Sequence, residues 1–415
     1  MLRLQLLFLS VLFLTTALAG PIRQKQKRSF KIPRVRQANY VPNGKVAYRK
    51  ALFKFGFDDI TFQPNSAISS KLQAATNASV AATDEDGVTV ANPSQGDSEF
   101  LSPVTVGGQT LVMDFDTGSS DMWVFNANLA AADQTGHTIY DPTKSTASKA
   151  LTGSTFNISY GDGSFASGPV GVDTVDIGGA TVDAQAIGLP TDVSSSFVTN
   201  TASNGLVGLA FSQLNTIKPT PQKTFFDNVM ADLTQPLFTA DLKSDSAGSY
   251  EFGQVDTSLF TGSLQTAAVD SSNGFWQVAS TSAVVSGQTV NLAGGSAIID
   301  TGTSLMLVAD ELVVAYWDNV QGAQVNDEAG GVIFPCNADL PDVQVAIGDN
   351  LATVSGANMN FASVGSDSQT GQQFCFGGLQ SNQGLEFSIY GDVFLRSQFV
   401  VFNGATPSIS VAPHS

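Results

Sequence analysis

Val112-Met113-Asp114-Phe115-Asp116-Thr117-Gly118-Ser119-Ser120 carries apolar residues into Asp-Thr-Gly and then into hydroxyl side chains. The same order returns 184 positions later as Ser296-Ala297-Ile298-Ile299-Asp300-Thr301-Gly302-Thr303-Ser304. Each copy predicts a buried strand that ends in a tight turn holding one carboxylate. The glycine lets the backbone approach closely, and the hydroxyls can donate hydrogen bonds to the acid. One such tripeptide is common loop vocabulary. Two copies with matching flanks, one in each half of a 415-residue chain, imply two similar lobes that each give an aspartate to a shared cleft.

Working outward, Asn204-Gly205-Leu206-Val207-Gly208-Leu209-Ala210 and Ser388-Ile389-Tyr390-Gly391-Asp392-Val393-Phe394 follow the two copies as matching apolar-apolar-Gly segments. Leu101 to Val112 reads as two strands joined at Gly107-Gly108, a hairpin signal. With 42% apolar and 9% aromatic residues and abundant Gly, Ser and Thr, the chain suits many short strands, and the predicted class is all-β. Together these motifs resemble the pepsin-like aspartic endopeptidases, specifically secreted fungal enzymes of the aspergillopepsin and penicillopepsin type. The likeness runs from about residue 98 to the C-terminus.

The resemblance implies a bilobal fold with Asp116 and Asp300 as the catalytic pair. Ser119 and Thr303 would hydrogen-bond the carboxylates, Thr117 and Thr301 would lock the loops together, and Gly118 and Gly302 would keep the backbone close. Tyr160-Gly161-Asp162-Gly163-Ser164 matches the flap that closes over substrate, with Tyr160 at its tip braced by Trp123. Phe197 and Leu206 are expected to line the pocket before the scissile bond. Asp162 and Ser164 match relatives that also accept lysine there. Cys336 and Cys375, the only cysteines, read as a disulfide in an exported protein, and the resemblance puts a bridge at this place.

The N-terminus adds a history. Arg3, an apolar run from Leu4 to Leu14 and Thr15-Thr16-Ala17-Leu18-Ala19 read as a secretory signal over residues 1–19, too short for a membrane span. Residues 21–86 carry 12 Lys+Arg against 5 Asp+Glu, whereas residues 87–415 carry 6 against 31, within a formal net charge of −17. A basic leader on an acidic body implies a detachable propeptide, residues 20–83, more readily than an arm for nucleic acid or membrane. Lys45 to Gly56 suggests a short basic helix. Lys54, followed by Phe55, is the candidate for a lysine laid across the catalytic pair, the alternative being a solvated basic face. The expected lobes are residues 84–260 with Asp116 and the flap, and 261–415 with Asp300 and the disulfide. Asn77 and Asn157 begin glycosylation sequons.

Elimination narrows the chemistry. The only histidines are His137, read as a surface-loop residue, and His414, so no Ser-His-Asp triad or zinc site is easily built. The expected protein is a monomeric, secreted, acid-active peptidase on protein and peptide substrates. It needs no metal or organic cofactor and has no nucleic-acid or membrane partner. Two rivals stay open: a non-catalytic binding or inhibitor protein of the same fold, and a glycosidase, which also uses paired carboxylates but would want more than three Trp.

Overall fold

The computed structural model describes residues 28–33, 42–55, 68, 101–160, 164–244, 248–367 and 369–415. The Gly107-Gly108 signal forms the expected hairpin. Both glycines take positive φ, +54° and +80°, as a two-residue turn matched to strand twist requires. It joins Leu101–Val106 to Gln109–Asp116. The strand that ends in Asp116 then pairs in parallel with Gly205–Gly208. That strand in turn pairs antiparallel with Met122–Val124.

The second half repeats the plan. Ser296–Ile299, leading into Asp300, pairs in parallel with Ser388–Tyr390, which pairs antiparallel with Met306–Val308. The apolar-apolar-Gly segments therefore lie beside the aspartate strands. Their glycines are steric necessities: a Cβ at Gly208 would run into the Ser119 and Ser120 backbone, and one at Gly391 into the carbonyls of Thr303 and Leu305.

The halves meet on a sheet that, among the described residues, has eleven strands. It takes Leu237–Asp241 and Ser249–Phe252 from before residue 260, and Gln265–Asp270, Gln398–Asn403 and Ser408–Pro413 from after it. The platform under the cleft thus draws on both sides of the expected lobe boundary. Aromatic rings fill it. Phe238 stacks on Phe402 at 4.6 Å and on Phe252 at 5.4 Å, and the Trp276 indole N–H donates to the Leu209 carbonyl at 2.9 Å. Cys336 and Cys375 are joined as a disulfide.

The N-terminal segment is part of this body. Phe30–Pro33 adds antiparallel to Ser249–Phe252 at the sheet edge, with Phe30 stacked on Phe252 at 5.0 Å. Gly44–Lys54 is a helix capped by Asn43, whose side chain accepts from the Val46 N–H. Its buried positions Gly44, Ala47, Tyr48, Ala51 and Leu52 recur at three- and four-residue spacing, the pattern of a one-faced helix. That face packs on Ile298, Leu305, Leu307, Phe376 and Ile389 of the C-terminal half.

Candidate active site

Asp116 and Asp300 sit at the ends of their strands, 1% and 0% exposed, and their turns face each other across the halves. The Thr117 N–H donates to Thr301 Oγ1 at 3.1 Å and the Thr301 N–H to Thr117 Oγ1 at 2.9 Å. Each hydroxyl then donates across the interface, Thr117 to the Ile299 carbonyl at 2.9 Å and Thr301 to the Phe115 carbonyl at 2.6 Å. Threonine at these two positions thus fixes the separation of the halves with four hydrogen bonds.

Each carboxylate is held by its own turn. The Gly118 N–H donates to Asp116 Oδ1 at 2.8 Å and Ser119 Oγ to Asp116 Oδ2 at 2.6 Å. The Gly302 N–H donates to Asp300 Oδ1 at 3.0 Å, and the Thr303 hydroxyl to Asp300 Oδ2. The glycines also leave room: a Cβ at Gly118 would strike the Asp300 carboxylate, and one at Gly302 the Asp116 carboxylate. Any larger residue would push the acids apart.

Lys54 lies between them. Its Nζ is 2.6 Å from Asp116 Oδ1, 2.8 Å from Asp300 Oδ2 and 3.0 Å from Asp300 Oδ1. Burial works against the lysine's charge, but the two aspartates outweigh it and hold its pKa above the ordinary value. Burial also opposes ionisation of Asp116, yet the Lys54 charge and the hydrogen bonds from Lys54 and Ser119 bring its pKa below the usual range. At Asp300 burial and the neighbouring Asp116 charge together prevail over Lys54, and its pKa is raised. Two identical side chains are thus pushed in opposite directions by their surroundings.

Above the Asp116 side, the Trp123 indole N–H donates to the Tyr160 hydroxyl at 2.8 Å. Phe197 meets both rings edge-on, at 4.9 Å and 5.3 Å. Tyr160 closes a hairpin by donating its N–H to the Ser164 carbonyl at 2.7 Å. Ser164 is buried; Gly161 and Asp162 fall outside the described residues, as do Asn77 and the opening 27 positions. Phe197 and Leu206 line the pocket beside Asp116. The same pocket is lined by Asp114, Lys50, Asn200 and Ser203, which sequence reasoning missed. Asp114 was legible in principle, standing where the second copy has Ile298.

His137 differs from its sequence reading. It is half-buried, stacked on Phe125 at 3.7 Å and bonded through both ring nitrogens. The other unforeseen group is Asp121, 1% exposed under the first turn. Its carboxylate accepts from the Thr216 N–H and hydroxyl, but burial pushes its pKa up to about 6.

Residues 99–414 match the family of eukaryotic aspartyl proteases. The chain belongs to that family. An aspergillopepsin A-like aspartic endopeptidase of Aspergillus fumigatus is 50% identical over 404 residues, covering 95% of this chain and 94% of the relative. An aspartic protease of Coccidioides posadasii is 49% identical across 94% of this chain and 91% of its own. Penicillopepsin-1 of Penicillium rubens is 46% identical over 83% and 85%. The protease is therefore a pepsin-like peptide hydrolase of the fungal type, and neither the inhibitor nor the glycosidase rival finds support.

Proposed function

We propose that Asp116 and Asp300 share one proton and activate a water for direct attack on a peptide carbonyl. The observation that carries this is Lys54 Nζ, within 3.0 Å of both carboxylates. A spot the size of one ammonium, bounded by two acids, fits one water. In the reaction, the ionised carboxylate takes a proton from the water as its oxygen bonds to the carbonyl carbon. The protonated carboxyl gives its proton to the carbonyl oxygen, producing a neutral tetrahedral diol. Collapse of the diol with proton transfer to the nitrogen breaks the C–N bond, and no covalent enzyme intermediate forms.

Residues 20–83 act on this reading as a propeptide that silences the site. The Lys54–Asp116 pair supplies the pH sensor. Asp116 is held below its unfolded value, so the pairing free energy is present above the unfolded pKa of about 3.9 and is lost as pH falls through the lower folded value. Acid therefore weakens the hold of Lys54. Secretion after removal of residues 1–19 and a monomeric working form complete the reading. Asn157, exposed on the strand Lys149–Ser159, is the glycan acceptor that remains once the propeptide, with Asn77, is lost. The lobes divide near residue 260, apart from the shared platform.

Substrate is an extended peptide with apolar side chains flanking the scissile bond. Phe197 and Leu206 wall the pocket before it, and Asp162 accepts a lysine ammonium there. The test is digestion of haemoglobin by the full-length chain after acid incubation, beside an Asp300→Asn chain. Acid-dependent cleavage by the first and none by the second is expected; cleavage by the Asn variant would refute the dyad. Equal cleavage after lysine by an Asp162→Thr chain would remove Asp162 from specificity.

A further inference from the structure

We propose that His137 is a positioning residue of the substrate pocket and works as an imidazolium cation. The argument rests on which atoms face its ring. Nδ1 lies 3.0 Å from the Ser203 carbonyl oxygen, and Nε2 lies 3.1 Å from the Val198 carbonyl oxygen. Carbonyl oxygens only accept. Neutral imidazole has a single N–H, so one of its nitrogens would aim a lone pair at a carbonyl lone pair. The doubly protonated ring donates to both. Its face lies 3.7 Å from the Phe125 ring at an 8° angle, a placement in which an aromatic π-face favours a cation.

The two carbonyls bracket the turn that walls the pocket. Val198 belongs to the short helix Ser195–Thr199, which carries Phe197. Asn200 and Ser203, on the turn that follows, line the pocket with Phe197 and Phe125. Beside the ring, the Thr138 N–H donates to Asn204 Oδ1 at 2.7 Å, and the Asn204 N–H donates to the Val112 carbonyl at 2.7 Å. His137 thus ties the two ends of the pocket wall to each other, while its neighbour Thr138 and Asn204 link this corner to the Asp116 strand. Phe197 touches Tyr160 and Trp123, so the strap also sets where the aromatic wall meets the flap.

The elements packed against the ring are uncharged. Residues 195–205 and 122–129, packed against it, contain no Asp, Glu, Lys, Arg or His. On its own segment the nearest charged residues are Asp133 and Asp141. Asp114, Asp116, Lys50 and Lys54 line the far side of the wall, in the pocket itself. The chain's other histidine faces a carboxylate and one carbonyl instead. His414 has Nδ1 2.9 Å from Asp241 Oδ1 and Nε2 2.9 Å from the Leu395 carbonyl oxygen, beside a surface cleft lined by Lys243, Asp342 and Arg396. It lines no part of the pocket beside Asp116, which makes it the natural control.

The proposal rests on the peptidase reading of the cleft, and two readouts keep the two separable. In the full-length chain labelled with ¹⁵N-histidine, His137 is expected to show two slowly exchanging ring N–H protons at acid pH, assigned by their loss in His137→Phe. One such proton or none would overturn the strap, with or without turnover. In peptide hydrolysis after acid incubation, His137→Phe, which keeps the stacking but has no donors, is expected to raise KM about threefold to tenfold for a peptide with a large apolar residue before the scissile bond, with kcat changing less. His137→Gln, whose amide has two N–H donors, should restore the low KM. His414→Gln should leave KM unchanged. A His137→Phe chain with the wild-type KM would sink the proposal, whereas a chain that hydrolyses nothing would sink the peptidase reading.

Discussion

The first Asp-Thr-Gly turn is followed by Ser119-Ser120-Asp121-Met122-Trp123, the second by Thr303-Ser304-Leu305-Met306-Leu307. The backbone plan is shared, down to the parallel partner strand and the crossed threonines. What lies beneath and above differs. Under the first turn is a buried carboxyl, Asp121; at the matching place in the second is Leu305, fully buried. Over the first, the protein's own Tyr160 hairpin closes on Trp123. Over the second, the cover is the N-terminal helix, with Tyr48 donating to the Ser381 carbonyl at 2.7 Å. The first half therefore carries its own lid, and the second borrows one from a segment that the proposed function removes. The two halves share the arrangement at the turns and differ in what surrounds it.

If the two turns contribute equally to the chemistry, Asp116→Asn and Asp300→Asn should each lower peptide hydrolysis by about 10²–10⁴-fold or more. A difference of more than tenfold between them would show that the symmetry ends at the acids. The cover is the next place to press. Lys54→Ala leaves two buried carboxylates without their cation, a change of about 3–5 kcal/mol for a broken buried pair. The full-length variant is expected to begin cleaving a fluorogenic peptide nearer neutral pH than the parent chain.

Asp121 tests the base of the first turn. A folded pKa of about 6 against about 3.9 unfolded means that the native state holds the proton more tightly. Its stabilisation is full at low pH and is lost as pH rises through 6, about 3 kcal/mol in all. Asp121→Asn, measured by urea unfolding across that range, should flatten this slope; an unchanged slope would clear Asp121. For the threonines, Thr117→Val and Thr301→Val each strand buried partners and should each cost about 1–3 kcal/mol, with similar losses if the lock is symmetric. The smallest expected effect is Tyr48→Phe, which removes a hydroxyl that also accepts from Gln383 at 3.0 Å. About 1 kcal/mol of hold on the N-terminal helix should go, read as faster proteolytic trimming of that segment.

The sequence carried the acids, the threonine lock and the Gly-Gly hairpin because each is a local pattern or a repeat, and the disulfide because the chain has only two cysteines. The Trp123–Tyr160 contact was reached only through family resemblance, since the two are 37 positions apart. Asp121 was hidden by its own motif: an acid after two serines reads as surface until Thr216, 95 positions on, is found to cap it. The strand at Phe30–Pro33 has four residues, too few for alternation to stand out, and its pairing depends on an edge 216 or more positions away. His137 does lie in a loop, as read, but half-buried, because nothing local signals that Val198 and Ser203 will offer it two carbonyls.

The N-terminal segment also says something about time. Lys54 leaves the ribosome long before Asp116 and Asp300, yet its contacts, and those of Phe30–Pro33 with Ser249–Phe252, await the rest of the chain. The two acids come together only when both halves are complete, and by then the lysine that covers them has been waiting on the same molecule. On the propeptide reading, the lysine that closes the dyad is carried on the same molecule and needs no encounter with a separate inhibitor.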